Sequence, residues 1–318
     1  MITKVLLLLL GFVLLIKGAN YFVLGSSSLA TNYKVPKKLI GLTIIAFGTS
    51  APELAISLNA MMSSNSDIIL GNVIGSNIVN VLLVLGIGGL ICPIRITSAT
   101  IKKEMPLLLL ISVMLVTLFL DTSFNGGVAN EITRSDGIIL LFFFLIFIYY
   151  LISIMRNRED KDEETAKYGK LKSVIVLSLG LAGVIIGSDL VVDSAKYIAT
   201  SIGISDRVIA LTIIALGTSL PELVTTIVSA VKKEQDILVG NIIGTNIFNI
   251  CVVLGLPVAI FGGITPTFSF LDIAMLLLSS IILFIFSLND YKITKFRECY
   301  YGNDMYFLLY LHIFIEKK

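Results

Sequence analysis

One segment of this chain occurs twice, and its character limits what the chain can become. GLTIIAFGTSAPEL at Gly41 to Leu54 returns as ALTIIALGTSLPEL at Ala210 to Leu223, so a proline and a glutamate interrupt an apolar run at two equivalent places. GNVIGSNIVN at Gly71 to Asn80 likewise returns as GNIIGTNIFN at Gly240 to Asn249, and both pairs are separated by the same 169 residues. Half of the aligned residues between Gly41 and Gly86 recur without a gap, and weaker similarity reaches back to Gly18 against Gly187. Generic helix composition does not reproduce identical spacing over such a distance, so the chain is an internal duplication.

Both copies lie in a sequence that water cannot solvate as a compact fold. Of 318 residues, 56% are apolar and only 14% are charged, so lipid has to be the solvent. Tracts such as Val5 to Leu15, Leu107 to Leu120, Ile138 to Ile154 and Ile273 to Phe286 suffice, with their flanks, to cross a hydrocarbon core about 30 Å thick. Ten spans are expected, near 3–24, 38–62, 67–91, 104–120, 137–155, 171–193, 207–231, 236–261, 270–288 and 304–315. The first runs on through Lys17 to Leu24 without a small-residue cleavage site and reads as a retained helix. The last is atypical: Glu298, Asn303 and Asp304 leave only Met305 to Ile315 apolar, which is short for a crossing. The expected fold is therefore an all-α polytopic membrane protein, with five-helix repeats at 1–155 and 171–318 joined by a charged linker at 156–170. An odd number of spans per repeat inverts the second copy relative to the first, the usual architecture for alternating access.

Charge sets the expected orientation. With the amino terminus outside, the inside loops collect Lys34, Lys37 and Lys38, then Arg95, Lys102 and Lys103, the basic residues from Arg156 to Lys172, Lys232 and Lys233, and Lys292, Lys295 and Arg297. The outside loops keep little beyond Arg134 and Arg207, the asymmetry of the positive-inside rule. The linker, where Glu159, Asp160, Asp162, Glu163 and Glu164 mix with basic residues, is then a solvated cytoplasmic charge run. A net charge of +2 implies no nucleic-acid partner; Cys92, Cys251, Cys299 and the lone His312 lack metal spacing, which excludes zinc, haem and disulfide frameworks. Composition leaves the number of subunits open.

Proline at Pro52 or Pro221 has no N–H to give, so carbonyls about four residues upstream, near Gly48 and Gly217, are expected to lose helical partners. At membrane depth such carbonyls are tolerated where they line a polar cavity, and there they are oxygen ligands for a cation. Glu53 and Glu222 fall mid-span, where an ionised carboxylate costs roughly 2.5–3.5 kcal/mol on insertion scales. No basic residue is expected at that depth, since Lys17 and Lys196 snorkel or sit near helix ends, which leaves metal cations or protons to balance the two acids. Thr49, Ser50, Ser76 and Asn80 accompany one glutamate, and Thr218, Ser219, Thr245 and Asn249 the other. Oxygen donors without sulfur or imidazole suit hard cations, calcium better than magnesium. Gly71, Gly75, Gly240 and Gly244 are expected to let helices approach closely.

The paired GTS-x-PE and GN-xx-G-(S/T)-N motifs resemble the alpha repeats of the calcium/cation antiporter superfamily, and the chain is most similar to prokaryotic sodium/calcium exchangers. The resemblance implies an antiporter with calcium and sodium as cargo in a prokaryotic plasma membrane, with no cofactor and no enzymatic reaction. It assigns calcium to Glu53, Glu222, Thr49 and Thr218, and flanking sodium to the carbonyls of Ala46 and Ala215 with Ser50, Ser76, Ser219 and Thr245; Asn80 and Asn249 border the middle position. It further implies that the first and sixth spans slide together across the motif helices, with Gly18 and Gly187 in the contact. In one respect the chain departs from well-studied members, which carry aspartate where Asn249 stands. A proton-coupled calcium exchanger on the same fold stays open at this point, as does, more remotely, a cation channel.

Overall fold

A computed structural model of the chain describes residues 2–63, 66–120, 131–156, 165–204, 215–265, 270–288 and 292–293. The expected tenth span at 304–315, the first part of the seventh at 207–214 and linker residues 157–164 lie outside the described residues. The described residues are mostly helix, joined by short turns and one two-residue strand pair. In chain order the helices are α1 (Ile2–Asn32), α2 (Lys37–Thr49), α3 (Ala51–Met62), α4 (Asp67–Ile91), α5 (Met105–Phe119), α6 (Arg134–Arg156), α7 (Lys170–Ser201), the single turn α8 (Ala215–Gly217), α9 (Leu220–Val231), α10 (Gln235–Phe261) and α11 (Phe270–Leu288). Six of the described helices are long and apolar enough to cross a membrane, seven if α2 and α3 are taken as one bent span. Their large exposed side chains are apolar, Leu6, Leu9, Phe12 and Val13 on α1 and Phe142, Leu145 and Ile146 on α6 among them, whereas serine, threonine, asparagine and glutamate are buried. That is the distribution a lipid solvent selects.

Two helices outrun expectation. α1 continues to Asn32 and α7 to Ser201, eight residues past each expected end. Hydropathy marks where lipid ends, but the backbone ladder runs until something breaks it. After α1 that is Lys34, in the left-handed conformation at φ 51°, followed by Pro36; Gly203 at φ 84° ends α7 at the equivalent position.

The chain divides into two compact units, each drawing on both halves of the sequence. The first comprises the described residues up to Pro52 together with Ile152–Gly244. Its centre is α1 lying antiparallel along α7. Gly11 faces Gly187, Gly18 faces Gly180 and Gly183, and Gly25 faces Leu177. A Cβ built on Gly18 would lie 2.6 Å from the backbone nitrogen of Val184, so this seam is backbone against backbone. Its ends are fastened: the Asn32 amide donates to the Tyr168 carbonyl (2.7 Å) and to the Ser173 hydroxyl (3.0 Å), and Lys4 stacks on Tyr197 at the other end. Glu234, in the turn before α10, accepts from Ser27 of α1 (2.8 Å) and pairs with Lys37 of α2 (3.1 Å).

The second unit comprises Glu53–Leu151 and the described residues from Thr245 onward. α5 and α11 pack through Ser112 against Ser280 (3.2 Å) and Ser287 against Met105 (2.9 Å). α6 meets α10 where Gly137 faces Gly255 and Ala259, and Phe144 stands edge-on to Phe248. A two-residue antiparallel pair, Ile94–Arg95 with Lys292–Ile293, adds the one small ladder among the described residues.

Glycines at the motif helices divide. Gly240 and Gly244 lie against Leu42 of α2 as expected, whereas a Cβ on Gly75 would meet nothing within 4 Å among the described residues. The α1–α7 seam sets up a stability test. Gly18→Val forces the α1–α7 backbones apart and is expected to cost about 1–3 kcal/mol, read as a lowered thermal midpoint in detergent.

Candidate cation site

Each motif segment breaks at its serine. α2 ends at Thr49, Ser50 takes φ −84°, ψ 5°, and α3 departs at 44° to α2. In the second copy α8 ends at Gly217 and Ser219 takes φ −90°, ψ 5° before α9 begins with Leu220. The two breaks have the same geometry because the same constraint makes them: proline two residues on withholds its N–H and the helix cannot run through. The resulting offset puts Glu53 and Glu222 in the first turn of the helix that follows, and both are fully buried.

In the first unit the two copies touch. The Ser50 hydroxyl of the first copy donates to Oε1 of Glu222 in the second at 3.5 Å, and Glu222 Oε2 has no partner among the described residues. Thr49 turns its hydroxyl back to the carbonyls of Ile45 (3.1 Å) and Ala46 (3.3 Å), and the Ala46 carbonyl also accepts from the Ser50 N–H (3.1 Å). Ser219 is buried with its hydroxyl unpartnered among the described residues, Thr218 is half-buried, and Ala215 opens α8. The break does not leave the Gly217 carbonyl bare, because Ser188 of α7 donates to it at 3.3 Å. The equivalent of Ser188 in the first copy is Ala19, which has no hydroxyl to give.

In the second unit α4 and α10 face one another through carboxamides. Asn77 donates to the Asn246 carbonyl (3.3 Å) and Asn80 to the Asn246 side-chain oxygen (3.4 Å). Ser76, Thr245 and Asn249 are buried on the same two helices, and neither end of the Asn249 amide has a partner among the described residues. Buried polar atoms left without partners are rare in folded proteins, so each calls for an explanation. At Asn80 and Asn249 both helices widen into a π-turn, Asn80–Val84 and Asn249–Leu254. A π-turn inserts an extra residue and re-aims the side chains around it, which is why such turns gather at functional sites. Sequence inspection missed them, since no residue pattern in NVLLV or NICVVL marks a widened turn.

Broken apolar helices in inverted copies, each with a buried carboxylate among hydroxyls and amides, define a secondary-transporter class of membrane protein. Comparison with known proteins narrows the class. The family model described as sodium/calcium exchanger protein matches residues 3–153 and 172–301, and the chain belongs to that family. The inner membrane protein YrbG of Escherichia coli is 38% identical over 89% of this chain and 88% of its own length. The sodium/calcium exchanger MaX1 of Methanosarcina acetivorans is 32% identical over 92% of this chain and 93% of its own. A solved structure of the sodium-calcium exchanger NCX_Mj, soaked with 10 mM Na+ and no Ca2+, superposes over 98% of both chains with TM-score 0.82 at 33% identity.

The Ser188 bond makes a local prediction. Ser188→Ala strips the Gly217 carbonyl of its side-chain donor inside the protein and is expected to cost about 1–3 kcal/mol, while Ser188→Thr, which keeps the hydroxyl, costs less. Thermal unfolding of the two purified variants measures the difference.

Proposed function

We propose that this chain is a secondary antiporter that exchanges calcium for sodium by alternating access, its ions held by the two duplicated motifs. The observation that carries the reading is the hydroxyl of Ser50 on the carboxylate of Glu222, an oxygen of one copy on the acid of the other. Glu53 and Glu222, with Thr49 and Thr218, take calcium; the carbonyls of Ala46 and Ala215, with Ser50, Ser76, Ser219 and Thr245, take sodium on either side, and Asn80 and Asn249 border the middle position. All supply oxygen, the donor that hard cations require. The chain catalyses no covalent change, and its partners are inorganic cations and lipid. It sits in a prokaryotic plasma membrane with the amino terminus outside and the 156–170 linker in the cytoplasm, as the lysine and arginine distribution favours.

Two buried carboxylates neutralise one calcium. Sodium ions and calcium compete for the same two acids, and an empty site strands their charge in a poorly solvating environment. Occupancy by one ion or the other is thereby linked to each reorientation, which makes the exchange obligatory. With asparagine at both Asn80 and Asn249, three sodium ions leave the two-acid site at +1 where one calcium leaves it neutral, so exchange at that ratio moves net charge.

Proteoliposomes loaded with sodium and placed in calcium-45 are expected to accumulate the label; choline-loaded vesicles are not. Glu53→Gln and Glu222→Gln each abolish uptake. Uptake driven by an imposed proton gradient without sodium overturns sodium coupling in favour of protons, and unchanged uptake in either glutamine variant overturns the site. A potassium-diffusion potential, inside positive or inside negative, is expected to change the initial rate in opposite directions; a voltage-independent rate sinks the charge argument.

A further inference from the structure

We infer that Asn72 and Asn241, which stand outside the ion-ligand set above, are positioning residues that aim the two motif glutamates by holding their backbone carbonyls. The inference rests on the reading of Glu53 and Glu222 as cation ligands.

Asn72 of α4 donates from its amide nitrogen to the carbonyl of Glu53 (3.0 Å) and lies 3.2 Å from the hydroxyl of Ser57. A carbonyl is an obligate acceptor, so the amide orientation is fixed by chemistry. Glu53 and Ser57 lie one helical turn apart on the same face of α3, and one amide grips both. The attachment sets the rotation of α3 about its own axis relative to α4. A rotation of about 10° moves a group roughly 6 Å from a helix axis by roughly 1 Å, enough to carry a carboxylate oxygen out of the ~2.3–2.6 Å range that calcium accepts.

The second copy reaches the same target by another route. Asn241, equivalent to Asn72 in the repeat and almost fully buried, donates to the hydroxyl of Thr225 at 3.5 Å. Thr225 lies 3.0 Å from the carbonyl of Glu222 and 2.6 Å from that of Pro221. Thr225 has no counterpart in the first copy, where Ile56 stands, and the counterpart of Ser57 is Thr226. The contact has shifted by one residue, and the Thr225 hydroxyl that receives it is shared between the carbonyls of Pro221 and Glu222 in the turn that carries the glutamate.

Asn72 bonds the Glu53 carbonyl, and Asn241 bonds Thr225, whose hydroxyl lies against the carbonyls of Pro221 and Glu222. In sodium-loaded proteoliposomes of the full chain, Asn72→Ala and Asn72→Asp are expected to raise the calcium KM about tenfold, equivalent to about 1.4 kcal/mol, with the maximal rate kept within about twofold. Thr225→Val, which removes the relay at constant shape, raises KM about threefold, and Thr225→Ser restores it. Glu53→Gln is run alongside. If it is inactive while the Asn72 variants keep the native calcium KM and lose only folded yield or thermal midpoint, the asparagines merely pin a hairpin and the inference fails. If Glu53→Gln transports normally, the reading of the site falls, and the inference falls with it.

Discussion

A carboxylate placed in the middle of a membrane span has to be answered by a cation or a proton, and this chain buries two of them, Glu53 and Glu222. Lys37 pairs with Glu234 at the end of α2, away from the breaks that carry Glu53 and Glu222. At Glu222 the side-chain donor seen on the carboxylate is neutral, the hydroxyl of Ser50. On the function proposed above, the charge of the two acids is balanced by an ion that can leave.

Backbone breaks serve the same end. Helices satisfy their own polar groups and so offer a passing ion nothing; a helix interrupted by proline offers carbonyls. The breaks at Ser50 and Ser219 share one geometry, yet the surrounding bonds differ. A hydroxyl from α7 occupies the Gly217 carbonyl, and the first copy has alanine at the equivalent place. The duplication is thus close in backbone and looser in its side chains, which lets two halves of similar origin contribute unequally to one cycle.

Much of this was legible in the sequence because the signals were strong and local: proline next to glutamate inside apolar runs, repeated at constant spacing, foretells two broken helices with buried acids. The helices themselves follow from hydropathy, but their ends do not. α1 and α7 run on through GSSSLATN and SAKYIATS because those residues lower hydropathy without breaking hydrogen bonds. The π-turns at Asn80 and Asn249 are invisible for a different reason, since one extra residue in a turn depends on packing against neighbours and not on the identity of the residues inside it. The spacing of Gly11, Gly18 and Gly25, seven residues apart each time, was readable as a seam but is easily lost among the leucines.

That seam carries a further implication. By the repeat, Gly11 corresponds to Gly180 and Gly18 to Gly187. In the structure Gly11 meets Gly187, and Gly18 meets Gly180. Each glycine therefore touches the counterpart of its neighbour, and the reverse contact is also made. This reciprocity is the signature of an isologous interface, the kind that two identical subunits form about a two-fold axis. A half-length chain bearing this helix would be complementary to an upside-down copy of itself, and the charged linker turns what would be an encounter between two molecules into a fold within one.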